Sequence, residues 1–278
     1  MSTVKMFNYN RIYDYFGWTE PPFNITSDPH FFYKSRHHEE ALLNMIYGIQ
    51  MRKGFVVISG EIGTGKTTIC RMVIDELDPE TTKSALILNP YLTGEGLLPI
   101  ILEDFGLEVN DTSQVGMFRQ LNRFLLEEAG MGRNVVLFID EAQNLSTELF
   151  EDIRLLSNLE TTKEKLLQIV FVGQPELRQK LEDPRLKQLK QRIVAQYHIM
   201  PLCEDEVKTY IYHRLEVSSS SGGAGVYFYD DAIAEIYNFT QGVPRLINLL
   251  CDKVLLAAFL LGTKEVSRGL VLQSTKEL

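Results

Sequence analysis

Cysteine is scarce in this 278-residue chain: Cys70, Cys203 and Cys251 are odd in number, far apart and in no paired spacing. Neither a disulfide framework nor a cysteine-ligated zinc site is expected, and a reducing cytoplasm fits best. The five histidines, His30, His37, His38, His198 and His213, show no ligand spacing for a metal. No apolar run approaches the roughly 20 residues that a bilayer requires. The longest, Val254–Leu261, follows Asp252 and Lys253 and reads as a buried helix, with a membrane-contacting helix as the alternative. Met1 to Asn10 lacks the apolar centre of a signal peptide, so export is not expected. An excess of positive charge is missing too. The 28 basic and 37 acidic residues give −9, which opposes broad attraction to nucleic-acid phosphates while leaving a local basic face open. No internal repeat is present. The length suits one large domain or two ordinary ones, and 45% hydrophobic residues are enough for a substantial core.

What the chain does have is a phosphate-binding pattern. The apolar run Phe55 to Ser59 is followed by Gly60, Glu61, Ile62, Gly63, Thr64, Gly65, Lys66, Thr67 and Thr68, and then by a helix-like stretch from Ile69 to Leu77. The strand before and the helix after separate this pattern from an ordinary glycine-rich turn. Glycines let successive N–H groups point inward at phosphate oxygens, and the helix start adds its positive end. Lys66 would reach the β- and γ-phosphates, and the Thr67 hydroxyl would complete the coordination of Mg²⁺.

In chain order, an aromatic, turn-rich opening (Tyr13, Tyr15, Phe16, Trp18, Phe23, Phe31, Phe32, Tyr33) predicts an extended arm, and Ser35–Met51 a helix. Arm and helix are expected to pack on the core as residues 1–52, where they could wall the adenine base. Further strands are predicted at 85–88, 134–139, 167–172 and 195–199, with helices at 96–105 and 113–129. Apolar strands alternating with helices predict an α/β fold: a five-stranded parallel sheet covered by helices on both faces, spanning residues 53–201, with ligands at the carboxyl ends of the strands. From residue 202 the strand signals stop. Helices at 204–217 and 230–240, a flexible loop at Ser218–Gly225, and a third helix after Pro244 predict a small all-helical domain, 202–278.

Several polar residues fall at strand ends. Val135–Ile139 delivers Asp140 and Glu141; beside a phosphate loop the first would hold Mg²⁺ and the second would polarise the attacking water. Gln174 ends the next strand, either as an amide that orients water and senses the γ-phosphate or as a turn residue before Pro175. Arg185, Lys187, Lys190 and Arg192 precede the fifth strand, either as a solvated face or as the source of an arginine finger reaching a neighbouring subunit. Arg245, flanked by Gly242 and Pro244 at a helix start, could reach across a cleft to the γ-phosphate or form a structural salt bridge.

With these residues placed, the chain resembles the AAA+ ATPases and, more narrowly, the general secretion pathway protein A family. The likeness runs from Tyr15-Phe16-Gly17, Pro22-Phe23 and Asp28-Pro29 through Gly60–Thr68, Phe138–Gln143, Val172–Leu177 and Gln191-Arg192-Ile193 to Gly242–Asn248 and Leu250–Asp252. The resemblance implies a five-stranded nucleotide-binding domain with a helical lid, ATP or ADP bound with Mg²⁺, and a homo-oligomer, ring-like or dimeric, formed or stabilised by ATP. It assigns Gln174 as first sensor, Arg245 as second, and Arg192 as the finger ahead of Arg185. It also implies hydrolysis that powers or switches assembly of a bacterial envelope secretion, pilus or polysaccharide export system. The implied location is the cytoplasm, or the inner membrane through a partner protein. Many members continue into a transmembrane segment and a peptidoglycan-binding domain; this sequence stops at Leu278 with neither, so direct cell-wall binding is not expected. The alternative is a DNA-binding regulator resembling transposition ATPases. A nucleotide-dependent scaffold with negligible hydrolysis is a third reading, against which the Asp140-Glu141 pair argues.

Overall fold

The computed structural model describes residues 10–52, 54–90, 96–161, 164–219, 222–223, 225–276 and 278. The signal-peptide reading of Met1–Tyr9 therefore lies outside the described residues, as do Ser220, Ser221 and Ala224 of the loop expected to be flexible. The chain divides into two compact units: residues 36–62 with 66–200, and residues 10–35 with 63–65 and 201–278.

The first unit is built on five strands, β1 (Phe55–Gly60), β2 (Thr82–Ile87), β3 (Asn134–Ile139), β4 (Gln168–Gly173) and β5 (Ile193–Ile199), in the order β2-β3-β4-β1-β5. Every pairing is parallel. Parallel strands need crossovers that put helices on both faces, so the central strands must be apolar throughout. All residues of β1, β3 and β4 are buried, whereas the edge strands β2 and β5 mix buried with half-exposed and, in β5, exposed positions. That difference also explains the edge of β2: it starts at Thr82, three residues before the apolar stretch that marks it in the sequence. Between sheet and helices, Phe55, Phe171 and Phe150 form a ring contact series with centroids 5.5 and 5.2 Å apart. The helix Arg36–Gln50 turns His38, Ala41, Met45 and Ile49 inward. Asn134 closes its far end by donating from Nδ2 to the Ile49 carbonyl at 2.9 Å. The strand order brings the carboxyl ends of β1, β3 and β4 side by side, and these ends carry Gly60, Asp140 and Gln174.

The second unit corrects two expectations. The opening segment is not wholly extended: Asn10–Phe16 is helical, with Ile12 and Phe16 one turn apart and buried. Nor do residues 10–35 belong with the nucleotide-binding sheet. Ile12, Phe16, Trp18 and Phe23 share one apolar core with Leu202, Ile211, Leu215, Phe228, Leu250 and Val254, while the following helix, 36–50, goes with the sheet. The residues after 201 are helical at Glu204–Ser218, Asp230–Thr240, Pro244–Leu261 and Arg268–Thr275, but they also hold a short parallel pair, Tyr227–Phe228 with Glu265–Val266. The apolar run Val254–Leu261 is the end of an amphipathic helix, with Val254, Leu255 and Ala258 buried and Leu260 and Leu261 exposed. Among the described residues no helix is long and apolar enough to cross a membrane.

Arg214 is the polar fastener of this unit. It is 6% exposed, and its guanidinium donates to Pro22 O at 2.5 Å, Asn24 O at 3.2 Å and the Tyr210 hydroxyl at 3.3 Å while lying 4.7 Å from the Phe31 ring centroid. Arg214→Leu would leave the buried Pro22 carbonyl without this donor, costing about 1–3 kcal/mol, and would also lose the guanidinium's contact with the Phe31 ring. We expect a loss of about 3 kcal/mol. Trp18, the single tryptophan, stacks on Phe16 with centroids 4.4 Å apart and reports this unit by fluorescence. A denaturation midpoint for Trp18 unchanged by the substitution would refute that role for Arg214.

Candidate functional site

The chain leaves β1 at Gly60 and re-enters regular structure at Lys66, the first residue of the helix Lys66–Glu76. The turn between them needs left-handed backbone at Gly63 (φ 82°) and Gly65 (φ 90°), a conformation that side chains with a Cβ resist. The Lys66 ammonium folds back over the loop, donating to Gly60 O and Glu61 O, each at 2.8 Å. Only 6% of the residue is exposed. Burial pulls its pKa below the ordinary lysine value, and the carboxylates of Glu141, Asp140 and Glu61 pull the other way. The loop thus holds a desolvated cation on backbone carbonyls, next to the N–H groups of a helix start. Such a cation can exchange those carbonyls for phosphate oxygens with a gain in hydrogen-bond strength.

Thr67, the next residue, meets the end of β3. Its hydroxyl donates to Asp140 Oδ2 at 2.5 Å, and Asp140 Oδ1 accepts the Glu141 N–H at 2.8 Å. Asp140 is 2% exposed, and burial raises its pKa against the lowering effect of the Thr67 and Glu141 bonds. A hydroxyl and a carboxylate oxygen in contact are the donor set of a hard divalent cation. Among the described residues no group of three or more His, Cys, Asp or Glu could hold a metal. This pair therefore suits an ion that takes its other ligands from phosphate and water.

After Asp140 the backbone turns sharply, with Glu141 left-handed at φ 51°. Its Oε2 accepts from Gln143 Nε2 at 2.5 Å and from Gln174 Nε2 at 3.1 Å. The two strand ends are thereby joined through side chains, with Gln174 beside the carboxylate and not merely in a turn. Gln143 was not singled out in the sequence because a lone amide has no charge or spacing signature. Its only signal was its place two residues beyond Glu141 within the motif Phe138–Gln143.

The arginines lie elsewhere. Arg192 sits at the amino end of β1, where its carbonyl accepts the Phe55 N–H at 3.1 Å, and its guanidinium donates to Ser157 Oγ at 2.9 Å and Asn158 Oδ1 at 2.7 Å. The phosphate loop leaves the other end of β1, roughly 16 Å away at the ~3.3 Å rise of a strand residue. Arg192 cannot serve the loop of its own chain. Arg185 is exposed, bonded to both oxygens of Asp183 and, at 3.3 Å, to Thr147 Oγ1. Arg245 belongs to the second unit with the loop tip 63–65. It opens the helix Pro244–Leu261, and its N–H donates to Gly63 O at 3.2 Å.

The AAA domain family matches residues 49–181. The chain is 43% identical over 256 residues to general secretion pathway protein A of Aeromonas hydrophila, covering 92% of this chain and 46% of that protein. It thus spans about half the length of the curated relative it matches. Among solved structures, the ADP form of the Aeropyrum pernix ORC2 protein is similar with a TM-score of 0.65 at 16% identity, over 88% of this chain and 69% of that one. Cdc6p from Pyrobaculum aerophilum gives 0.64 at 17%, over 95% and 70%. The Holliday junction branch migration motor RuvB of Thermotoga maritima gives 0.54 at 19%, over 86% and 69%. These structural likenesses establish the fold, while the sequence likeness is far more specific. Residues 49–181 thus match the AAA domain family, and the chain is similar over 92% of its length to general secretion pathway protein A.

Proposed function

We propose that this module hydrolyses ATP with Mg²⁺ to power or switch assembly of a bacterial envelope secretion, pilus or polysaccharide export apparatus. The carrying observation is the contact of Thr67 with Asp140, which brings the phosphate loop and the end of β3 to one point with Glu141 next in sequence. In this reading Gly60–Thr68 wraps the phosphates, Lys66 holds the β- and γ-phosphate oxygens, and Thr67 and Asp140 hold the ion. Bound Mg²⁺ would neutralise charge on the phosphate oxygens. Glu141 takes the proton of the attacking water, Gln174 orients that water or the γ-phosphate, and Arg245 acts as a second sensor. Arg192 supplies a finger to a neighbouring copy in an ATP-stabilised homo-oligomer, in the cytoplasm or at the inner membrane through a partner protein. The secretion context comes from the likeness to general secretion pathway protein A, and the apparatus itself follows from no residue of the site.

The DNA-binding reading has less behind it. Within the basic cluster Arg185 is paired with Asp183 at 2.7 Å and Lys190 with Glu182 at 2.5 Å, so two of its four cations are offset by acidic partners in a chain of net charge −9.

Asp140→Asn tests the ion site. Burial makes the ionised carboxylate costly in the ligand-free protein, so the neutral amide should leave the melting temperature unchanged or raised. Hydrolysis in Mg²⁺ should nevertheless fall by about 100-fold or more, because a neutral amide binds a hard cation poorly. Phosphate release at the parent rate in the variant, or in the parent protein stripped of divalent ions, would remove Asp140 and the metal from the reading.

A further inference from the structure

Gln143 lies in the short 3-10 turn Ala142–Asn144 that follows Glu141, and its carboxamide is engaged at both ends. Nε2 donates to Glu141 Oε2 at 2.5 Å, and Oε1 accepts the backbone N–H of Gln174 at 3.0 Å. Lys180 fixes the turn from behind, donating to Gln143 O at 2.6 Å and to Leu145 O at 2.8 Å. Gly173, the last residue of β4, leaves room for this placement. A Cβ there would lie 2.6 Å from Gln143 Oε1 and 3.0 Å from Leu177 Cδ2, so the strand ends in glycine where the carboxamide rests on it.

Glu141 needs such support. Its backbone is left-handed, at φ 51° and ψ 34°, so no strand geometry aims its carboxylate. The other donor to Oε2 is the side chain of Gln174. A sensor amide that turns toward the γ-phosphate must leave that oxygen. The bond from Gln143 would survive the turn, because Gln143 is anchored on the backbone N–H of Gln174 and not on its side chain.

We propose that Gln143 is a positioning residue for ATP hydrolysis: it ties one carboxylate oxygen of Glu141 to the end of β4 and keeps the other directed at the attacking water while Gln174 reads the nucleotide. This rests on the reading of Glu141 as the base and Gln174 as the sensor. It adds a fixed link between them that neither residue supplies alone.

Gln143→Ala tests it in the full chain. A misplaced base typically costs up to about 100-fold in rate without touching ground-state binding. We therefore expect kcat to drop about 10- to 100-fold, with KM and affinity for a non-hydrolysable ATP analogue within about twofold of the parent. Gln143→Asn, one methylene shorter, cannot span both partners and should fall with it. Gln143→Glu should lose a similar factor, because an ionised carboxylate has no N–H to donate to Glu141 Oε2. A residue that only supports the fold would not separate kcat from KM in this way. The proposal is overturned by a kcat for Gln143→Ala within about threefold of the parent, or by a loss of analogue affinity matching the loss of kcat. Glu141→Gln separates the two levels. If it is inactive while Gln143→Ala is normal, the reading of Glu141 stands and this one falls; if it turns over at the parent rate, both fall.

Discussion

Replacing Glu141 by glutamine is expected to leave ATP affinity within about threefold of the parent protein while slowing hydrolysis about 100- to 1,000-fold. The expectation separates binding from chemistry because the two are carried by different elements. Phosphate binding belongs to the loop after β1 and to Lys66, whose ammonium lies on Gly60 O and Glu61 O. The Glu141 carboxylate belongs to the end of β3, where its hydrogen-bond donors are amides from Gln143 and Gln174. A glutamine there is isosteric and its carbonyl oxygen can accept from both, so the site should keep its shape. What it cannot do is take a proton from water. Titration with a fluorescent ATP analogue and steady-state phosphate release measure the two properties separately. Turnover within about threefold of the parent would exclude Glu141 as the base.

Much of this site was legible in the sequence, and for a physical reason. A parallel strand buried on both faces must be apolar along its whole length, so β1, β3 and β4 announce themselves, and whatever polar residue ends such a strand is conspicuous. Asp140, Glu141 and Gln174 were found that way. Parts of the fold obeying weaker rules were missed. The helix Thr147–Leu156 has a serine cap, with Ser146 Oγ accepting the Leu149 N–H at 3.2 Å, and Phe150 and Ile153 on its inner side. The arm is a different case. Its aromatics can be buried by any apolar face, and Phe16, Trp18 and Phe23 share a core with the helices after residue 201. No local pattern encodes that choice. Arg214, which fastens Pro22 and Asn24 from 190 residues away, is invisible for the same reason.

The remaining large effect concerns Lys66 and what it reveals about assembly. Lys66→Ala should lower ATP affinity by about 100-fold or more, since a charge-assisted bond to phosphate is worth about 3 kcal/mol and each tenfold in affinity corresponds to about 1.4. It should not unfold the chain: burial already works against the charged ammonium, so its removal relieves a desolvation cost. Affinity within about fivefold of the parent would refute the phosphate-loop assignment. The same variant then serves as one half of a mixing test. Arg192 lies at the amino end of β1, away from its own phosphate loop, so any catalytic use of it must be on a neighbouring copy. Arg192→Ala should bind ATP normally, since it gives up only the bonds to Ser157 Oγ and Asn158 Oδ1, yet hydrolyse it poorly for want of a finger. A Lys66→Ala subunit has no working site but retains its finger; an Arg192→Ala subunit has the site without the finger. Mixing two inactive proteins should therefore restore part of the activity at interfaces that pair one of each, and the restored rate should rise with total protein concentration. Exchange of labelled subunits must be seen in the same mixture. With exchange confirmed and no activity regained, Arg192 does not act across an interface, and the exposed Arg185 beside Thr147 takes its place as the candidate.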